Sequence, residues 1–124
     1  MSSHKLICHC GAVAIECNAE LKNLRECNCS LCARSGFLHW YVPSGFVHFV
    51  TGEDALKNYA WRSVQQGHHF CPECGTATMR TGYDNGIVSL NARCLIGVDV
   101  FELETQRFDG RKEMPPGPYD PKPS

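Results

Sequence analysis

Hydrophobic and polar residues alternate over several short stretches of the chain, a pattern that indicates β-strands rather than helices. Between Ala12 and Cys17, the apolar residues fall on every second position, so they share one face of a strand. Other short runs are rich in β-branched and aromatic residues. We predict strands at Phe37–Val42, Phe46–Val50, Leu56–Trp61, Gly75–Arg80 and Gly86–Cys94. Pro43-Ser44-Gly45 separates the first two of these runs and predicts that they form a hairpin.

Stretches with the pattern of a helix are scarce. Single turns are predicted after Cys29 and near residues 53–55 and 98–103, so the expected fold is mainly β with a few short helical turns. Five prolines fall between Pro115 and Ser124, where little could pack against a core. We therefore predict one domain over residues 1–113, followed by a Pro-rich flexible tail over residues 114–124.

The charge of the chain argues against two classes of partner. The formal net charge of the 124 residues is −1, and acidic and basic residues are scattered, so neither nucleic acid nor a membrane surface is an expected partner. No apolar run approaches the ~20 residues of a membrane-spanning helix. The first residues also lack the apolar stretch of a secretory signal. These features predict a cytoplasmic protein, in which clustered cysteines bind metal more often than they form disulfides.

Seven of the nine cysteines lie in three tight clusters. The segments are Cys8-His9-Cys10, Cys27-Asn28-Cys29-Ser30-Leu31-Cys32 and Cys71-Pro72-Glu73-Cys74. Zinc binds four such sulfurs in a tetrahedron at about 2.3 Å from each. Seven sulfurs therefore suit two zinc ions per chain, one with four thiolate ligands and one with three.

The first and third clusters are predicted to share one zinc. In Cys71-Pro72-Glu73-Cys74-Gly75, proline restrains the backbone after the first ligand, and the glycine permits a tight reversal after the second. Cys8 and Cys10, two residues apart, can point to one side of an extended segment. A zinc with four thiolates is coordinatively full, so its expected role is structural.

The middle cluster has three cysteines and leaves one position on a zinc ion open. An ion there is a better Lewis acid than one in the full site, and a thiol that joins it loses its proton readily. A closed site with an additional protein ligand is the alternative, and its candidates are Cys94, His39 and His9.

These segments together resemble the glutathione-dependent formaldehyde-activating enzyme family. The resemblance rests on the three cysteine clusters in order, with Gly11 after the first and Phe70 and Gly75-Thr76 around the third. The spacer from Gly52 to Tyr59 also matches. Ser89–Leu95 and Phe108-Asp109-Gly110 look closer to the branch that contains centromere protein V. The similarity runs from about Lys5 to Lys112.

The resemblance implies a β-tent, a small arrangement of twisted antiparallel sheets. It implies a structural zinc on Cys8, Cys10, Cys71 and Cys74, and a catalytic zinc on Cys27, Cys29 and Cys32. It also implies an enzyme similar to S-(hydroxymethyl)glutathione synthase, a carbon–sulfur lyase whose substrates are a small thiol such as glutathione and a small aldehyde such as formaldehyde.

Four further residues are candidate substrate contacts. Arg34 and Arg93 would hold the carboxylates of glutathione, although an ordinary surface role competes for both. Trp40 would line the substrate pocket, and the alternative is a core position in the predicted hairpin. Cys94 follows Val88, Leu90 and Ala92 at strand spacing, so a core position competes with a role at the second zinc.

A different class of function is also consistent with these clusters. A zinc-stabilised module that binds a protein partner without catalysis would have a filled second site. Such a module would show no response to glutathione, so titration with glutathione separates it from the enzyme.

Overall fold

A computed structural model of the chain describes residues 3–60, 67–83 and 85–113. In this part of the chain the strands are β1 (His4–Ile7), β2 (Ala14–Cys17), β3 (Leu24–Cys27), β4 (Leu38–Pro43), β5 (Val47–Thr51), β6 (Lys57–Ala60), β7 (Gly67–Phe70), β8 (Ala77–Thr81), β9 (Ile87–Asn91) and β10 (Thr105–Phe108). They form two sheets. The smaller has the order β1-β2-β5, and the larger has the order β10-β3-β4-β9-β8-β7-β6.

The helices of the described residues are short. The α-helices are α1 (Ser30–Ser35) and α2 (Gly110–Glu113), and the 3-10 helices are Ser44–Phe46, Glu53–Ala55, Ala92–Cys94 and Val100–Glu102. None of the helices in these ranges has both the length and the apolar character that crossing a membrane requires. The predicted fold class, mainly β with antiparallel sheets and few short helices, is confirmed.

The hydrophobic core lies between the two sheets. Trp40, Leu90 and Met79 are direct neighbours across β4, β9 and β8, so they point to one side of the larger sheet. They belong to the same buried cluster as Leu6 and Ile15 of the smaller sheet. The alternation predicted for β2 is confirmed, because its apolar face is buried in this core.

The opposite face of the larger sheet is polar, and it positions the candidate site. His68 is the register partner of Arg80, Arg80 of Ser89, and Ser89 of Tyr41. Direct partners across a ladder point to the same side, so four adjacent strands present these side chains together. His39, two residues before Tyr41 on β4, belongs to this face as well.

The predicted hairpin is wrong, because its two strands belong to different sheets. β4 pairs with β3 and β9, whereas β5 pairs with β2. The 3-10 helix Ser44–Phe46 carries the chain from one sheet to the other, and the Ser44 N–H donates to the Gly86 carbonyl at 2.8 Å. The turn residues were identified correctly, but the partner of each strand is set by burial of its apolar face in the common core.

Other boundaries also differ from the predictions. β9 ends at Asn91, so Cys94 lies in a 3-10 helix and not on the strand. β10 pairs with β3 in parallel, which departs from a wholly antiparallel arrangement. The last residue of the predicted strand Leu56–Trp61 and the whole predicted tail, 114–124, lie outside the described residues. The domain division at residue 113 stays a prediction.

Candidate functional site

Four cysteines that lie far apart in the chain converge into one cluster. Cys8 and Cys10 follow β1, Cys71 and Cys74 follow β7, and their sulfurs all lie within 4.8 Å of one another. The Cys8–Cys10 and Cys10–Cys71 Sγ separations are 3.7 and 3.6 Å. Tetrahedral zinc with bonds of about 2.3 Å sets its sulfurs roughly 3.8 Å apart, so this four-cysteine cluster fits zinc.

Tight turns aim these sulfurs at a common point. Gly11 and Gly75 adopt the left-handed backbone conformation, with φ of 85° and 77°, which glycine accepts without steric cost. The Thr76 hydroxyl oxygen accepts from the His9 N–H at 3.3 Å, so its proton is available to the Cys74 sulfur, 3.1 Å away. This hydrogen bond is the main reason that the pKa of Cys74 falls to about 5. The turn thus favours the thiolate that a metal requires.

The middle cluster is built at the junction of β3 and α1. Cys27 ends β3, Cys29 caps the N-terminus of α1, and Cys32 lies in the helix. The Cys29 N–H donates to the Cys27 sulfur and the Cys32 N–H donates to the Cys29 sulfur, both at 3.4 Å. The three sulfurs lie within 4.8 Å of one another. This three-cysteine cluster has the spacing for one metal ion.

The charges within the three-cysteine cluster call for a cation. Hydrogen bonding from the Cys27 thiol lowers the pKa of Cys29, and the corresponding contact with Cys27 raises the pKa of Cys32. One sulfur therefore ionises readily while its neighbour holds its proton. All three become thiolates together only when a positive ion offsets their repulsion. The donor set of three sulfurs suits zinc.

Two nitrogen groups from the polar face contact Cys32. Arg80 Nη1 lies 3.4 Å from Cys32 Sγ, and His39 Nε2 lies 3.3 Å from it. His39 Nδ1 is 2.8 Å from the buried Ser89 hydroxyl. Burial, followed by the charge of Arg80, lowers the pKa of His39 to about 3. His39 is therefore a neutral ring beside the cluster, and Arg80 supplies the positive charge.

Arg80 is held in place from several sides. Its Nη2 lies 3.4 Å from His68 Nδ1, and its guanidinium carbon lies 5.3 Å from the centre of the Phe37 ring. The buried Nε of Arg80 has no hydrogen-bond partner in the described part of the chain. Of the ion pairs among residues 3–60, 67–83 and 85–113, none involves Arg80. Its charge is therefore directed at the cysteines and not at a carboxylate of the same region.

Comparison with known proteins agrees with this pair of clusters. The sequence model of the family described as glutathione-dependent formaldehyde-activating enzyme matches residues 3–108, a span that includes all seven clustered cysteines. The chain belongs to this family. Membership of this family supports a general function in glutathione-dependent formaldehyde activation.

The structure of this family member is also similar to a crystal structure of a Rhodobacter sphaeroides protein, a Northeast Structural Genomics target. The two chains are 29% identical, with a TM-score of 0.71. The similarity covers 82% of this chain and 97% of the other. Nearly the whole of the Rhodobacter sphaeroides protein therefore corresponds to the fold described above.

Two of the four predicted substrate contacts lie away from the three-cysteine cluster. Trp40 is 0% exposed, and its Nε1 donates to the Glu20 carbonyl at 3.1 Å, so its position on β4 places it in the core. Cys94 is buried with its sulfur 3.5 Å from the Ala77 carbonyl oxygen. Burial raises the pKa of Cys94 to about 12, and the charges of Cys8 and Cys74 contribute. Cys94 thus neighbours the four-cysteine cluster.

The two predicted arginine contacts bind backbone carbonyls. Arg34 Nη1 donates to the Ser30 carbonyl at 3.0 Å, and Arg93 Nε donates to the Gly36 carbonyl at 2.8 Å. Both therefore brace the two ends of α1. Their roles as substrate contacts stay predictions.

The residues that surround Cys32 were largely missed from the sequence. His39 was considered as an additional ligand, and it touches one sulfur without joining the group of three. Arg80 and His68 were not assigned a role. A signal was present in the sequence, because Arg80 is the charged last residue of the otherwise uncharged predicted strand Gly75–Arg80. A charged residue at the end of such a run is a candidate for a site.

Proposed function

We propose that this family member is a zinc-dependent carbon–sulfur lyase that joins glutathione to formaldehyde to give S-(hydroxymethyl)glutathione. In this assignment Cys27, Cys29 and Cys32 hold the catalytic zinc. Cys8, Cys10, Cys71 and Cys74 hold the structural zinc, so each chain carries two ions. All nine cysteines are free, which favours a reducing compartment such as the cytoplasm.

The reaction needs a sulfur anion at neutral pH. Zinc at the three-cysteine cluster would supply a positive centre that favours ionisation of a nearby thiol. The thiol loses its proton to solvent, and its sulfur lone pair forms the bond to the aldehyde carbon. The π electrons of the carbonyl move to oxygen, which takes up a proton. Atoms and charge balance with no oxidant or reductant.

The chain itself contributes position and charge. Arg80 provides N–H donors beside Cys32, where negative charge develops first on sulfur and then on oxygen. His39 is kept neutral by burial. When the Ser89 hydroxyl donates to its Nδ1, the ring N–H is on Nε2 and faces the same sulfur. Holding both reactants beside these donors lowers the entropic part of the barrier.

The observation that carries this proposal is the asymmetry between the two clusters. The four-cysteine cluster provides a complete set of ligands from neighbouring turns. The three-cysteine cluster provides one ligand fewer and has a partly buried cation, Arg80, against one of its sulfurs. A non-catalytic zinc module has no need of that cation.

Cys29→Ser and Cys74→Ser test the assignment. We expect the native chain to bind two zinc ions by mass spectrometry. Cys29→Ser should retain one zinc and the fold but lose turnover, and Cys74→Ser should unfold because structural zinc supplies folding free energy. Turnover is measured by NMR exchange between glutathione and its formaldehyde adduct, relative to the spontaneous rate.

Cys17→Ala is the matched control, since Cys17 is a buried cysteine outside both clusters. It should keep both zinc ions. The proposal fails if the native chain does not exceed the spontaneous rate, or if Cys29→Ser unfolds as completely as Cys74→Ser.

A further inference from the structure

Arg25 lies on the same side of β3 as Cys27. The two residues are two positions apart on one strand, so their side chains share a face and their Cα atoms are about 7 Å apart. Arg25 is also the register partner of His39, which contacts the three-cysteine cluster. The positively charged side chain of Arg25 is therefore two residues along β3 from Cys27, one of the three cysteines of the cluster.

Two aromatic rings hold the guanidinium of Arg25 between them. Its central carbon lies 5.5 Å from the centre of the Tyr41 ring and 5.2 Å from the centre of the Phe108 ring. Stacking of this kind limits the rotation of the planar group. A guanidinium group that is already oriented loses less conformational entropy when its N–H donors bind a planar anion such as a carboxylate.

The N–H donors of Arg25 are uncommitted in the described part of the chain. The ion pairs there are Lys5–Glu16, Lys22–Glu20 and Arg107–Glu26, and among residues 3–60, 67–83 and 85–113 no hydrogen bond is formed by the guanidinium. Arg34 and Arg93, by contrast, each donate to a backbone carbonyl.

Space for a ligand adjoins Arg25 and its neighbour on the same face of β3, Cys27. A cavity of about 540 Å³ is lined by Arg25 and Tyr41. A second, of about 400 Å³, is lined by Cys27 and Phe108. Both volumes fall in the range of small-molecule sites, roughly 300–1,000 Å³. Arg25 thus lines one volume, and its ring partner Phe108 lines the volume that reaches Cys27.

We propose that Arg25 binds a carboxylate of the thiol substrate, and that the glycine carboxylate of glutathione is the group it recognises. This inference rests on the proposed function. An extended residue spans about 3.5 Å. A carboxylate on the residue after the thiol-bearing residue therefore lies on the order of 5–7 Å from the thiol. That reach is comparable with the Cα spacing of about 7 Å between Cys27 and Arg25. Arg25 is then a specificity-determining residue that selects peptide thiols over small neutral ones.

Calorimetric titration of the zinc-loaded full chain tests this inference. The ligands are glutathione and its glycine monoethyl ester, and the variants are Arg25→Gln and Arg25→Lys. Loss of a charge-assisted pair should weaken glutathione binding by about 10- to 100-fold in Arg25→Gln. Arg25→Lys should lose less, because it keeps the charge without the planar fork. The ester should bind the native chain as weakly as glutathione binds Arg25→Gln.

Lys5→Gln is the control. It removes one positive charge from the smaller sheet, where Lys5 is paired with Glu16 at 3.9 Å and its side chain is 67% exposed. It should change the dissociation constant of glutathione less than twofold. A similar loss in both variants would mean that overall charge, and not Arg25, attracts the ligand, and would overturn the inference.

Other outcomes separate this inference from the proposed function. If the native chain binds glutathione and its ester equally well, the role of Arg25 is refuted while the enzyme assignment stands. The same holds if Arg25→Gln binds glutathione as tightly as the native chain does. If the native chain neither binds glutathione nor exceeds the spontaneous rate, both proposals fail together. The comparison of glutathione with its ester needs no variant, so poor folding of Arg25→Gln would not prevent the test.

Discussion

Arg80 Nη1 and Cys32 Sγ lie 3.4 Å apart although 48 residues separate them in the chain. The contact joins β8 to α1 across the polar face of the larger sheet. It gives the three-cysteine cluster a positive neighbour, whereas the described contacts of the four-cysteine cluster are to backbone N–H groups and the Thr76 hydroxyl. The two clusters therefore differ in charge as well as in number of ligands.

Replacement of Arg80 by methionine tests the value of this charge. Arg80→Met keeps much of the side-chain length but removes the cation, so we expect kcat/KM for the glutathione–formaldehyde reaction to fall by roughly 10- to 100-fold, the effect of one charged hydrogen bond. In Arg80→Lys, which keeps the charge, kcat/KM should fall less. Zinc content of the four-cysteine cluster, measured by mass spectrometry, should stay the same in both. Activity of Arg80→Met within twofold of the native value would contradict this role.

The pH dependence of stability should report on His68. Burial, followed by the charge of Arg80, lowers its pKa from 6.5 to about 4. The folded chain thus favours the neutral ring. The contribution of His68 to the free energy of unfolding is therefore present above pH 6.5 and is lost as the pH falls toward 4. By pH 5.5 the loss amounts to about 1 kcal/mol.

His68→Asn keeps a polar acceptor near Arg80 and removes the titration. Free energies of unfolding are measured by urea denaturation with the same excess of zinc. Between pH 7.5 and 5.5 the native chain should lose more stability than the variant, so the two values should converge. The expected convergence is about 1 kcal/mol. Two profiles that run parallel over this range would show that His68 does not titrate as its burial requires.

Gly52 permits a close approach between the 3-10 helix Glu53–Ala55 and the segment before β2. Its φ is 88°, and a Cβ atom there would collide with the Ala12 carbonyl oxygen and lie 2.8 Å from Val13 Cα. Both obstacles are backbone, so Gly52→Ala should lower the free energy of unfolding by about 2–4 kcal/mol. Chemical denaturation of the zinc-loaded chain measures this change.

Two other glycines serve as controls for Gly52. Gly36 shares the left-handed conformation but has no atom within 4 Å of an added Cβ, so Gly36→Ala should cost about 1 kcal/mol from strain alone. Gly45 has neither a positive φ nor a neighbour within 4 Å, and Gly45→Ala should stay within about 0.5 kcal/mol. Equal effects at Gly52 and Gly36 would rule out the predicted collision.

Short-range patterns in the sequence were sufficient for the cysteine clusters and for several elements. The spacing of Cys27, Cys29 and Cys32 needs only one turn to bring three sulfurs together, and the helical turn predicted after Cys29 is α1. The alternation in β2 was interpreted correctly for the same reason. Each of these features depends on residues that are neighbours in the chain, so local geometry decides it.

The tertiary structure decided which strands are neighbours and what surrounds each cluster. Adjacent β4 and β5 separate into different sheets, while Arg80, His68 and His39 come together only because β4, β9, β8 and β7 are consecutive in one sheet. The parallel pairing of β10 with β3 likewise places Phe108 on Arg25. Strand order follows from burying all apolar faces in one core, a condition that depends on the whole chain at once and that no short segment contains.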